Sequence, residues 1–408
     1  MLSDEVIERV VERLVNRIEQ GNEYVLKKIG ESVKKIGTLS PSKAQELVQV
    51  MKYGGDYDKI TKKLAEITKL NVKDIKKIFH EVAKSDYQFA EQFYKYRNKK
   101  YIPYKDNIAL QNQVEAIANT MIDNYISKTK AIGFSVKDAN GNVIFQTLEK
   151  TYQDTIDKAI LNISQGKSTF DQEMYSILKE LGSSGIKTMD YASGRSVRLD
   201  SAIRMITKDS LRELHNEEQK IFGEEFNSDG VEISTHLNPA PDHEYVQGRQ
   251  FSNEEFEKFQ NDIDAVDYQG MSFSAEFEGH DRRSISQYNC YHYTFAIILG
   301  VSKPEYSNKQ LQQIIDNNNK GFEYEGKHYT NYEGTQLQRK IETEIRKQKE
   351  IQIIGKASDN KELILDTQEK INTLTKKYKE LSKISNLPTK MERMRVSGYK
   401  RVAKSKLM

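Results

Sequence analysis

The chain has 408 residues, of which 37% are hydrophobic even counting tyrosine, 30% are charged and only 6 are prolines. That apolar share lies below the ~45 to 50% of an ordinary globular domain and points away from a core-dominated enzyme, towards long solvated helices. The 63 basic and 60 acidic residues leave a net charge of +3, which excludes a global field for a polyanion, so any affinity for nucleic acid has to come from local patches.

The length predicts two to three domains at about 150 residues each. Cys290 is the single cysteine, so no intramolecular disulfide framework can form, which fits synthesis in a reducing cytoplasm. Asp4, Glu5, Glu8, Arg9, Glu12, Arg13, Arg17 and Glu19 crowd the first twenty residues, and no secretory signal is expected there. The longest strongly apolar stretch, Phe295 to Leu299, is far short of the about 20 residues that span a bilayer.

From Val6 to Ile18, Ile7, Val11, Leu14 and Ile18 recur at the three-and-four spacing of an amphipathic helix. Ser40 followed by Pro41 reads as an N-cap and first helical position, and Gly54-Gly55 as the stop of that helix. Another helix is predicted from near Val72 through Ile75, Ile78, Phe79 and Val82 towards Tyr96, so the region 1–100 reads as mostly short helices. The stretch Phe93 to Lys105 then interleaves Lys95, Arg97, Lys99, Lys100 and Lys105 with Tyr94, Tyr96, Tyr101 and Tyr104. It is either a solvated helix end leading into a Pro103 boundary, or a surface that stacks bases and neutralises phosphates.

The region 101–230 reads as helical with one hairpin. Residues 107–128 keep the helical repeat, and Asn140-Gly141 sits between two alternating apolar runs. Helices are predicted at about 149–164 and 169–181, the second with a Ser168/Asp171 capping box, and Gly182 to Gly185 reads as a link. A long helix from about Val197 to Phe226 leads to a strand over Val231 to Thr235. Residues 231–332 hold five of the seven histidines and the cysteine and read as a small β-containing unit, closing with a hairpin that turns at Glu325-Gly326. Residues 333–387 read as polar helices, one carrying Leu337, Ile341 and Ile345, the other starting near Leu363 with Ile371, Leu374, Tyr378 and Leu381. Pro388 ends them. Residues 388–408 form a basic tail with few apolar side chains, expected to be separable from the fold. The fold class is therefore α+β, predominantly helical, with one small histidine-rich β-containing domain and a C-terminal helical region.

The most unusual constellation is His236 and His243, separated by a loop with Pro239 and Pro241, together with Cys290 and His292. Imidazoles and a thiolate are what tetrahedral zinc accepts, so one zinc ion is a candidate cofactor; the other reading is that these side chains hydrogen-bond loops to the core. Enzymatic readings can also be assembled. Ser234-Thr235, Glu276-Phe-Glu278 and Arg195 or Arg198 faintly match ADP-ribosyltransferase elements, and Cys290 could be a nucleophile with His243 or His292 as base. No Walker or Rossmann glycine loop is present. In the tail, Lys390, Arg393, Arg395, Lys400, Arg401, Lys404 and Lys406 face one acid, Glu392, a composition that neutralises phosphates without reading sequence.

An ordered set of motifs resembles the phage minor capsid protein 2 family, relatives of the phage Mu F-like head morphogenesis proteins. The set is YASGRSVRLDSAIRM at Tyr191 to Met205, VEISTHLNPAPDHEYVQGRQFS at Val231 to Ser252, NCYH at Asn289 to His292, LGVSKPEYS at Leu299 to Ser307, HYTNYEGTQLQRKIETEIRKQK at His328 to Lys349, and ERMRVSGY at Glu392 to Tyr399. Ala240 and Tyr291 stand where the family usually carries arginines. The resemblance implies a structural, non-enzymatic minor capsid protein of a tailed phage, associated with the portal protein and the procapsid interior. Expected partners are the portal, a scaffold or major capsid protein, and packaged DNA through the tail, with no membrane. Assembly is expected in the bacterial host cytoplasm and residence in the virion head. The runner-up is a virion-carried enzyme, a metal-dependent hydrolase or an ADP-ribosyltransferase-like transferase.

Overall fold

The computed structural model describes residues 4–37, 56–138, 140–148, 150, 151, 154, 170–189, 196–277, 280, 281, 283–286, 290 and 292–402. Ile7, Val11, Leu14 and Ile18 lie buried on one face of α1 (Asp4–Gly37), which continues that face through Val25, Leu26 and Ile29. α2 (Asp56–Tyr96) starts well before Val72, because Ile60, Leu64 and Ile67 already keep the helical spacing beneath a lysine-rich surface. The expectation of mostly short helices is thereby corrected: these two have 34 and 41 residues, and the second runs about 60 Å at a rise of 1.5 Å per residue. The Ser40-Pro41 helix and its Gly54-Gly55 stop fall outside the described residues, as do Ser168 and most of the helix expected over 149–164.

The tyrosine-lysine stretch turns the chain from α2 into α3 (Ile108–Lys130). Tyr94 donates to Glu225, Tyr101 stacks on Tyr87 with ring centroids 4.7 Å apart, and the Tyr104 hydroxyl lies 2.7 Å from His80 Nδ1. Three of its four tyrosines thus build the interior and Tyr96 alone of the four is exposed, so the segment is not laid out as a stacking platform. Asn71, buried in the middle of α2, donates to Leu14 O at 3.2 Å and to the Tyr125 hydroxyl at 2.7 Å, and accepts from Arg17 at 3.2 Å. One polar side chain thereby locks three helices in register.

After α3, β1 (Ile132–Lys137) and β2 (Val143–Thr147) form the hairpin predicted at Asn140-Gly141, with Gly141 at φ +82°. Following α4 (Phe170–Ser184), β3 (Lys187–Met189) and β4 (Ser196–Arg198) extend it to an antiparallel sheet of order β2-β1-β3-β4. The long helix expected from Val197 is α5 (Leu199–Phe226), which packs against α1, α2 and α3. A second antiparallel sheet, with β5 (Gly230–Ile233) in the middle, β6 (Gln250–Ser252) on one side and β11 (Thr294–Ile297) on the other, lays β11 along α5. Between β6 and β11 come α6 (Asn253–Gln260) and the small pairs β7 (Ala265–Val266) with β8 (Ser272–Phe273) and β9 (Glu276–Phe277) with β10 (His280–Asp281).

α7 (Asn308–Lys320) then leads to β12 (Phe322–Tyr324) and β13 (Lys327–Tyr329), whose turn places Glu325 at φ +50° and Gly326 at φ +76°. Thr330 caps α8 (Asn331–Ala357) through a capping box, and α9 (Lys361–Ser385) returns antiparallel along it. Gly182 is not a link but the close-approach point of α4 on α8, since a Cβ there would sit 2.7 Å from Ile351 Cα.

Buried charge ties these helices together. The Arg198 guanidinium, at the end of β4, pairs with Glu350 of α8 and lies 3.1 Å from Asp200, which Arg346 approaches at 3.3 Å. On α1, Glu8 takes Lys208 at 2.6 Å, Arg393 at 2.9 Å and Arg204 at 3.4 Å. Burial raises the affinity of Glu8 for a proton, but Lys208, Arg393 and Arg204 outweigh it and hold its pKa down at about 2. Arg393 belongs to the tail, so the separable tail is also corrected: Met394 is buried, Val396 and Tyr399 pack on the main core, and Arg346 donates to Arg393 O at 2.8 Å.

Candidate functional site

The four residues singled out for their ligand chemistry come together. Beyond β5, Ser234 N donates to Tyr293 O and Tyr293 N donates to Ser234 Oγ, both at 2.8 Å, which prolongs the β5–β11 pairing. This draws His292 beside the His236 loop, with ring centroids 4.6 Å apart and the planes at 63°. In the loop after Pro241 the chain makes one helical turn, with Gln247 N donating to His243 O at 3.3 Å. His243 and Gln247 therefore leave the same side of that turn and face the cluster.

Cys290 Sγ is the centre. It lies 3.5 Å from His243 Nδ1 and 3.5 Å from His292 Nδ1, and the ligand atoms of these three residues fall within 4.8 Å of one another, all buried. Each imidazole is held from its far nitrogen: His243 Nε2 donates to Arg283 O at 2.7 Å, and His292 Nε2 to Gln247 Oε1 at 3.4 Å. The oxygen end of the Gln247 amide is fixed because it also accepts from His236 N at 2.9 Å, and a backbone N–H can only donate. Among the described residues, Gln247 Nε2 and Thr235 Oγ1, both buried, find no hydrogen-bond partner. Asp242 pairs with Arg283 through both its oxygens, one at 2.6 Å, and so holds the segment that supplies the carbonyl for His243.

The electrostatics follow from these contacts. Burial favours the neutral thiol of Cys290, but His243 and the backbone N–H groups of His292 and Ser286 outweigh it and lower its pKa. Burial disfavours the imidazolium of His243, but Cys290, the Arg283 carbonyl and Asp242 raise its pKa overall. Burial holds His292 well below the usual imidazole range, helped by His236, His243 and Arg283. Two imidazoles and a thiol converging in this way are side chains of the types that could hold a metal ion.

Among the described residues the transferase pieces do not assemble in this way. The Ser234 hydroxyl is engaged by a strand N–H, Arg198 is spent on Glu350 and Asp200, and Arg195 and Glu278 fall outside the described residues. Cys290 is 2% exposed, whereas reactive cysteines sit in partly exposed surroundings. Of the tail cations, Arg395, Lys400 and Arg401 are exposed, Lys390 is half-buried, Arg393 is paired to Glu8, and Lys404 and Lys406 lie outside the described residues.

Sequence reading missed Gln247 and Arg283, which set the two imidazole tautomers; the four-residue spacing from His243 to Gln247 was the available signal for one of them. It also missed His215 on α5, whose Nδ1 lies 2.7 Å from Asp86 Oδ2 and whose Nε2 donates to Thr294 O at 3.1 Å. That brace fixes the start of β11, two residues from His292. Among the described residues no helix is long and apolar enough to cross a membrane.

Comparison with curated proteins and with solved structures gave no match. The family model described as phage minor capsid protein 2 matches residues 2–382, nearly the whole chain. The chain therefore belongs to the phage minor capsid protein 2 family and is a structural protein of the phage head, where it meets other head proteins.

Proposed function

We propose that this chain is a non-enzymatic minor component of a tailed-phage head, seated against the portal protein on the procapsid interior and touching packaged DNA through its basic end. The family match over residues 2–382 carries the reading. The long helical body supports it, since α1, α2 and α9 present extended polar faces suited to neighbouring head proteins. For DNA, the support is the placement of Arg395, Lys400 and Arg401: they are exposed on a segment stapled to the body through Met394 and Tyr399. Cations on a fixed base release condensed counterions at phosphates without choosing a sequence.

Quantitative mass spectrometry of purified procapsids and mature heads tests this, together with capture of the chain by purified portal protein. The expected result is a copy number far below that of the major capsid protein, and retention on the portal. Absence from particles, capsid-like copy numbers, or no retention on the portal would contradict it.

A further inference from the structure

We propose that His243 Nδ1, His292 Nδ1 and Cys290 Sγ hold one zinc ion, with His236 supplying the fourth ligand from the half-buried side of the cluster. Hydrogen bonding gives the first reason. Arg283 O fixes the proton of His243 on Nε2, and Gln247 Oε1 fixes that of His292 on Nε2, so the lone pairs of both Nδ1 atoms point at the same sulfur. A thiol has one proton and can satisfy one of them. If His243 carries a second proton and the sulfur is a thiolate, the lone pair of His292 still faces an anion. In the absence of a cation, three buried electron-pair donors converge with too few protons among them; a divalent ion satisfies all three.

Geometry gives the second. Tetrahedral zinc with bonds of about 2.0 Å to nitrogen and 2.3 Å to sulfur separates its nitrogen and sulfur ligands by about 3.5 Å, and both Nδ1 to Sγ distances here are 3.5 Å. The far nitrogens donate to a backbone carbonyl and to a side-chain amide, the outer contacts that orient metal-bound imidazoles. Thiolate with imidazole selects zinc over magnesium or calcium, which take oxygen.

The third reason is the scale of the unit that carries the site. Its own buried apolar cluster among the described residues is Ile233, Val246, Phe251, Phe259, Ala265 and Ile285. Phe295 and Ala296 of β11 also pack on the main core, so the sheet is anchored there and it is the long loops that are short of apolar contacts, the situation in which small domains use a structural metal. The ion would tie the 234–249 loop to the segment entering β11, and burial of the cluster suits a closed structural site.

The test uses the full chain, loaded with zinc sulfate, desalted and subjected to elemental analysis; one zinc per chain is expected, and Cys290→Ser should lose it. Because that variant could fail to fold, the unaltered chain is also loaded with cobalt(II), where a thiolate-to-cobalt charge-transfer band and tetrahedral visible bands are expected. His236→Ala should keep the ion but surrender it to a chelator on the order of tenfold faster. An unaltered chain that leaves the column without zinc, or a cobalt complex lacking the thiolate band, overturns the site, and an unchanged rate for His236→Ala overturns the assignment of the fourth ligand.

Discussion

In the helical body, Phe79, Tyr87, Phe222 and Phe226 interlock with aliphatic rows from α1, α2, α3 and α5, and buried charges such as Arg198 with Glu350 and Lys208 with Glu8 are paired between elements. The unit between β5 and β11 buries a smaller apolar cluster around Phe251 and Phe259, and much of the rest of its interior is polar: His243, Cys290, His292 and Gln247 in one cluster, and the Arg249–Asp267 pair at 3.1 Å in another. The same chain thus solves burial in two ways. Where long helices supply enough apolar area, charge serves register, because a misplaced helix would leave an ion unpaired. Where short strands and loops supply little, the buried polar side chains are held by directional hydrogen bonds, such as those from His243 to Arg283 O and from His292 to Gln247.

If register in the body is set by charge, removing one partner of the buried pair should cost most. Glu350→Ala leaves the Arg198 guanidinium, 9% exposed, with Asp200 alone, and should lower unfolding free energy by about 3 to 5 kcal/mol in a denaturant titration. Two carboxylates of α1 should then respond to pH in opposite senses. Glu19 is pushed up to about 8 by burial and by the negative charges of Asp200 and Glu350, so the native state binds the extra proton and stability falls as pH rises from about 4.5 through 8. Glu19→Gln should therefore be the more stable protein at pH 8, by about 4 kcal/mol, with the advantage fading towards pH 5. Glu8, held at about 2, stabilises at every pH above its unfolded value near 4.5 and loses that contribution as pH falls from there towards 2. Glu8→Gln should lower stability by about 2 kcal/mol at pH 7, a figure reduced for partial exposure, and should match the parent near pH 2. Thermal melts of the two variants at three pH values would separate them. At the small end, alanine at Arg395, Lys400 and Arg401 should leave the melting temperature unchanged and reduce the salt dependence of DNA binding by about one counterion per residue; an unchanged slope would remove these residues from the DNA surface.

The helical spacing of Ile7, Val11, Leu14 and Ile18, the Asn140-Gly141 hairpin and the Glu325-Gly326 turn were legible because each is a local signal read within one element. The first half of α2 was hidden by its lysines, which mask a sparse apolar row. β3 and β4 escaped because three residues carry no period, and their pairing depends on neighbours distant in sequence. The docked tail escaped for a related reason: Met394, Val396 and Tyr399 look isolated, and only the fold brings α8 and α1 beneath them. At the cluster, residue type named His236, His243, Cys290 and His292. Sequence could not show the Arg283 carbonyl or the Gln247 amide oxygen, because the direction of a backbone group or an amide is a property of the folded chain.

Hydrogen exchange read by mass spectrometry, with the full chain compared before and after treatment with a metal chelator, bears most directly on the contrast between the two regions. A unit held by directional bonds to a metal predicts that peptides spanning residues 231–252 and 292–297 lose protection, while those from α5 and α8 keep theirs. Protection that is unchanged in the unit, or lost equally in the helical body, would contradict it.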